Sequence, residues 1–144
     1  KISQGIVNQN GGSVVLSGDL RLSLDNATAP ASRYNLAAGT VTVAGAFSIG
    51  GLDAGEDGGS YFNFTPGSTG SITIMSDNYN FDGKINTGQI RLGDTELTSG
   101  DSVWKLDNSV SGQTTLSVIP EPATLGLISL SGASILIARR FLVL

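Results

Sequence analysis

Cysteine and histidine are both absent from the 144 residues, and methionine occurs once. The chain therefore has no disulfide, no thiolate nucleophile, no imidazole base and no nitrogen or sulfur ligand set for zinc or copper. Charge is also scarce. Only 14% of residues are Asp, Glu, Lys or Arg, and 8 basic against 12 acidic residues leave a net charge of −4. No basic cluster occurs before Arg139, so the clustered Lys and Arg that phosphate neutralisation requires are missing and nucleic acid is not an expected partner. The sequence opens at Lys1 without a basic-then-apolar leader, as expected for a mature or truncated chain that continues upstream.

What is present is turn-forming and β-branched. Gly accounts for 20 residues, and the length suits one domain with a short appendage. The composition changes at Pro120: residues 1–119 mix Gly, Asn, Ser and Thr with β-branched residues, whereas Ala123 to Ala138 carry no charge.

The first segment repeats. When the stretch from Asn8 is moved along by 27 residues onto the stretch from Asn35, Gly12 falls on Gly39, Val14 on Val41 and Leu16 on Val43. In the same register Gly18 falls on Gly45, Leu20 on Phe47 and Leu22 on Ile49. A looser third copy starts at Phe62 and Asn63 and reaches Ile72, Thr73 and Ile74. Apolar residues recur at every second position within each copy, the period of a strand with one buried face. Gly18 and Gly45 mark a bend between two short strands. A fixed period of this length is the signature of a solenoid whose units bury their apolar faces only by stacking. The expected fold is all-β, a small parallel β-helix of about four coils over residues 1–119. A small antiparallel sandwich is the alternative.

The C-terminal segment reads as a membrane helix. Ala123 to Ala138 as a helix would span about 24 Å at about 1.5 Å per residue, short of a hydrocarbon core of about 30 Å. Phe141 to Leu144 extend it while Arg139 and Arg140 snorkel to the headgroups. Pro120 and Pro122 stop the preceding strand, and the two arginines place residues 1–119 outside the membrane. A buried helix of a soluble domain would need a polar face, which this segment lacks.

Pro120, Glu121 and Pro122, followed by an apolar helix containing Gly126 and Gly132 and then by Arg139 and Arg140, resemble the PEP-CTERM sorting signal. The resemblance covers about the last 25 residues. It implies a bacterial envelope protein inserted in the lipid bilayer by its tail, processed near Pro120, Glu121 and Pro122 by an exosortase, and released to the cell surface or matrix. Arg139 and Arg140 would be the cytoplasmic charge anchor. Phe141 to Leu144 depart from the family's pattern, in which the basic cluster is terminal. The Asn-rich and Thr-Val-Thr-Val style of the repeats is also loosely similar to autotransporter-associated β-strand repeats.

Candidate chemistry is sparse. Asp53, Glu56 and Asp57 lie in one Gly-rich run and could offer oxygen ligands to Ca²⁺, but their spacing matches no calcium loop, and a solvated turn is the favoured reading. Asp77, Asp82, Asp94, Glu96, Asp101 and Asp107 supply further carboxylates. Glycoside hydrolysis would require two of them to converge. A serine nucleophile would require Lys84 or Lys105 to be desolvated beside it. Aromatic residues from Tyr34 to Trp104 could stack on sugars, although at strand spacing they read as core, and Trp104 as cover for the last coil. The expected function is that of a noncatalytic, exported, structural or adhesive protein without cofactor, facing exopolysaccharide. A β-helix polysaccharide lyase or hydrolase, with some of Asp53, Glu56, Asp57, Asp77 and Asp82 converging beside Lys84, is the rival from another class. An uncleaved membrane-anchored β-domain is the third reading.

Overall fold

A computed structural model describes residues 5–22, 32–50 and 59–119. The expected sorting motif Pro120, Glu121 and Pro122, the apolar segment 123–138, Arg139, Arg140 and the acidic run Asp53, Glu56 and Asp57 lie outside the described residues.

The chain is mostly β. In order, the elements are β1 (Ile6–Leu16), β2 (Leu20–Leu22), β3 (Arg33–Val43), β4 (Phe47–Ile49), β5 (Tyr61–Phe64) and β6 (Ser71–Ile74). They continue with α1 (Phe81–Asn86), β7 (Ile90–Leu92), β8 (Thr95–Glu96), β9 (Trp104–Asp107) and β10 (Thr114–Val118). Eight strands form one curled, mixed sheet, and β2 and β4 form a second, two-stranded sheet.

Successive copies of the repeat pair in parallel. β1 lies on β3 with Asn8 opposite Asn35, Val14 opposite Val41 and Leu16 opposite Val43. β2 lies on β4 with Leu20 opposite Phe47 and Leu22 opposite Ile49. The third copy is divided between β5, which pairs with the first half of β3, and β6, which pairs with its second half. Period-two alternation sends one side chain of each pair inward, so the rungs stack into columns: Val7, Tyr34, Phe62 and Ile90; Val14, Val41, Ile72 and Leu116. Beyond β1 these columns are fully or almost fully buried, each large side chain contributing about 1.5–3 kcal/mol.

The parallel order ends after β7. Gly93 and Asp94 both adopt positive φ, 60° and 64°, which is the two-residue reverse turn whose twist suits a hairpin. The chain folds back as β8, antiparallel to β7. β10 runs antiparallel to β6 and to β9. The expectation of parallel coils up to residue 119 is corrected here: the sheet is mixed because two strands run against the rungs, β8 after this turn and β10 on its return from β9. After β6 the chain forms α1 where the earlier copies form a short strand, and α1 packs beside β7. Asn80 caps it by accepting from the Gly83 N–H, and Phe81 and Ile85, one turn apart, enter the core.

The rungs approach closely at Gly39, whose φ is +90°; a Cβ there would run into the Gly12 carbonyl of the neighbouring rung. Only glycine satisfies both demands.

Candidate functional site

The side of the rungs turned away from the core carries a polar array that runs from the exposed Asn8 to the buried Asn63. Equivalent asparagines form a ladder. The Asn35 amide donates to Asn8 Oδ1 at 2.8 Å, the Asn63 amide donates to Asn35 Oδ1 at 3.0 Å, and the Asp94 N–H closes the series on Asn63 Oδ1 at 3.1 Å. Asn35 and Asn63 both donate the side-chain amide to the preceding rung because parallel rungs repeat one geometry. Hydroxyl pairs join neighbouring strands in two further columns: Thr40 donates to Ser13 at 3.0 Å in one, and Thr73 and Thr115 share a hydrogen bond of 2.8 Å in the other.

At the end of the asparagine ladder lies a charged cluster. The Arg33 and Arg91 guanidiniums sit over the Tyr61 ring at 4.6 and 4.2 Å. The Tyr61 hydroxyl donates to Asp94 at 2.7 Å, Arg91 pairs with Glu96 at 2.8 Å, and Arg33 lies 3.6 Å from Asp94. Burial pushes the Tyr61 phenol up, the hydrogen bond to Asp94 adds to this, and the Arg33 charge opposes it. Two cations and two anions neutralise one another around a buried ring. The sequence reading counted Asp94, Glu96 and Tyr61 separately and missed Arg33 and Arg91. The Gly93–Asp94 turn was the available signal, since a Gly-Asp pair between apolar runs predicts the hairpin that brings β8 alongside.

Of the remaining carboxylates, Asp19, Asp77, Asp101 and Asp107 accept hydrogen bonds. Asp19 accepts from the Ala46 N–H at 2.8 Å and from Arg21, and these bonds, the backbone one first, hold its carboxyl below the usual range. Asp77 accepts from the Gly112 N–H, Asp101 from Thr98, and Asp107 from Ser109, which lowers the Asp107 carboxyl. Asp82 lies in the first turn of α1. Burial pulls the Lys84 ammonium down, but it has no hydrogen-bonding partner among the described residues. No group of three acidic side chains that could hold a metal ion occurs among the described residues.

Trp104 packs edge-on against Phe64 at 5.9 Å and donates to the Thr98 carbonyl. An apolar cleft of about 460 Å³ opens near it, between Pro66, Leu92, Val103, Val118 and Ile119. No titratable side chain lines it, so it offers no acid or base. Among the described residues, no helix is long and apolar enough to cross a membrane. The chain matches no protein-family model, no curated protein and no solved structure.

Proposed function

We propose that the chain is a noncatalytic surface or matrix protein of the bacterial cell envelope, built as a short parallel β-solenoid and exported on its C-terminal tail. The observation that carries this reading is the use of polar side chains. Asn8, Asn35, Asn63, Ser13, Thr40, Thr73 and Thr115 bond from rung to rung, and Asp77, Asp101 and Asp107 bond to nearby backbone. Catalytic carboxylates need the opposite, a pair freed from local bonds and facing a common space.

Where the ladders are exposed, at Asn8, Ser13 and Thr40 and in part at Asn35, Thr73 and Thr115, they present amide and hydroxyl groups at the spacing of successive strands, about 4.8 Å. Hydrated exopolysaccharide, rich in matching donors and acceptors, is the partner that such a face suits. The tail supplies the route. Pro120, Glu121 and Pro122 form the processing element, residues 123–138 lie in the lipid bilayer, and Arg139 and Arg140 stay on the cytoplasmic side until an exosortase acts.

The test is the intact mass and location of the tagged protein in a bacterial host with and without its exosortase, alongside a variant with Pro120, Glu121 and Pro122 replaced by Ala. The expected result is loss of the residues after the motif, dependent on both the enzyme and the motif. An unchanged mass in the membrane under every condition overturns the sorting reading and leaves an ordinary anchor.

A further inference from the structure

Away from the asparagine ladder, the second half of β3 carries a different array. The registers of β3, β6 and β10 align two columns: Thr40, Ser71 and Ser117 in one, Thr42, Thr73 and Thr115 in the other. Val41, Ile72 and Leu116, which stand between the columns, are buried, so strand alternation turns all six hydroxyl side chains to the opposite side of the sheet. Thr40 is exposed and the other five are half-buried. Each of the three strands has a described neighbour on both edges here, with β1 and β9 as the outer two.

Hydroxyl groups therefore recur about every 4.8 Å from strand to strand and about every 6.8 Å along a strand. No charge falls within the six positions. Lys105 and Asp107, of opposite sign, continue the two columns on β9. Thr40 bonds to Ser13 and Thr73 to Thr115, but the hydroxyls of Thr42, Ser71 and Ser117 make no hydrogen bond among the described residues. This separates the array from the asparagine ladder, where Asn35 and Asn63 donate their amides to neighbouring rungs. Half of the hydroxyls here are left for a partner outside the fold.

The geometry points to a site for an extended, neutral, β-linked polysaccharide whose chain lies across β3, β6 and β10. It rests on the polysaccharide reading proposed above and gives that reading a place and a class of polymer. A β-1,4-linked pyranose chain is a straight ribbon whose sugars succeed one another at nearly the interval between strands, so one sugar meets one strand. Sugar hydroxyls and the hydroxyls of Ser and Thr each both donate and accept, and every crossing can close a hydrogen bond in either sense. The Thr42, Thr73 and Thr115 column adds a methyl group on each strand for the C–H face of the ring. An acidic polymer finds no counter-charge within the array, and Asp107 opposes what Lys105 would offer at its end. An α-1,4-linked chain coils and leaves the register after a sugar or two.

Threonine-methyl NMR of the full chain, held in a detergent without a sugar headgroup, reads this contact directly. Cellotetraose is expected to shift the Thr42, Thr73 and Thr115 methyl signals and to bind about fivefold or more tighter than cellobiose, the gain of at least one net hydrogen bond. Maltotetraose, which coils, and tetramannuronate, which is straight but acidic, are expected to bind several-fold more weakly than cellotetraose. The double variant Thr42→Val/Ser71→Ala removes two hydroxyls that bond to nothing in the described fold and is expected to weaken cellotetraose about tenfold, with the Thr73 and Thr115 methyl signals reporting an intact sheet. Asn8→Ala is expected to leave the affinity unchanged. The site is overturned if cellotetraose binds no tighter than cellobiose, if maltotetraose or tetramannuronate binds as well, or if the double variant binds as the native chain does. Binding that survives the double variant but falls in Asn8→Ala overturns this site and keeps the polysaccharide reading, moved to the asparagine ladder. Binding of none of the four sugars overturns both the site and the polysaccharide partner, and leaves the sorting reading to its own mass measurement.

Discussion

The rungs from β1 to β7 and the segment from β8 to β10 are parts of one sheet made by different means. In the rungs each residue pairs with its equivalent about one repeat away, so Asn meets Asn and Val meets Val. In the closing segment pairing is antiparallel and no constant offset links the partners, as with Thr115 opposite Thr73 on one side and Asp107 on the other. Self-similar stacking demands the same backbone at every level and tolerates little change at shared positions. The closing segment satisfies its groups locally and tolerates more.

Gly39 and Gly112 test that contrast most sharply. Both have positive φ, 90° and 81°, but a Cβ on Gly39 meets the neighbouring rung and one on Gly112 meets nothing within 4 Å. Gly39→Ala is expected to cost about 3 kcal/mol, because strain and collision combine. Gly112→Ala should cost about 1 kcal/mol, from backbone strain alone. Urea denaturation midpoints separate the two, and equal losses would remove the distinction between the regions.

A smaller difference is expected between two asparagines. Asn35→Ala removes one bond made to Asn8 and one received from Asn63, a loss of about 1–2 kcal/mol at roughly 1 kcal/mol for each net bond. Asn80→Ala removes only the cap of α1, worth about 1 kcal/mol. Thermal unfolding of both variants checks the order, and a greater loss at Asn80 would show that the α1 cap matters more than the asparagine ladder.

The last effect is confined to alkaline pH. Tyr79 packs between Phe47 and Phe81 and donates to the Phe47 carbonyl at 2.8 Å, and burial pushes its phenol up to about 12. The unfolded phenol, at about 10, loses its proton first. The contribution is therefore complete below pH 10 and lost as pH rises toward 12. Tyr79→Phe should flatten that alkaline decline, measured as stability against pH from 9 to 12. An unchanged slope would assign the decline to Tyr34 and Tyr61, whose phenols burial also raises.

The rung register was legible in the sequence because period and alternation are both local counts. Val14 on Val41 and Leu20 on Phe47 are the observed pairs, as are Phe62 on Tyr34 and Asn63 on Asn35 in the third copy. The asparagine ladder follows from the same shifts, 27 residues from Asn8 to Asn35 and 28 from Asn35 to Asn63. The reversal after β7 was not read, because it depends on Gly93 and Asp94 adopting positive φ rather than on any repeat. α1 escaped notice as well: six residues with two inward side chains leave no helical period to count. Arg33, Tyr61 and Arg91 could not be grouped before the pairing of three different strands was known.

The constant offset of the parallel rungs also bears on how the chain collapses. Each rung forms only after a loop of about 27 residues closes, and the entropy of that closure depends on loop length alone, rising by about 0.6 kcal/mol for each doubling. A longer stack would repeat this cost without increasing it, so the mean sequence separation of contacts stays fixed while the chain grows. Relative to chain length the topology becomes more local with every added rung, the direction associated with faster folding. The two-residue hairpin between β7 and β8 has the shortest loop in the sheet and therefore the smallest closure cost of any pairing there.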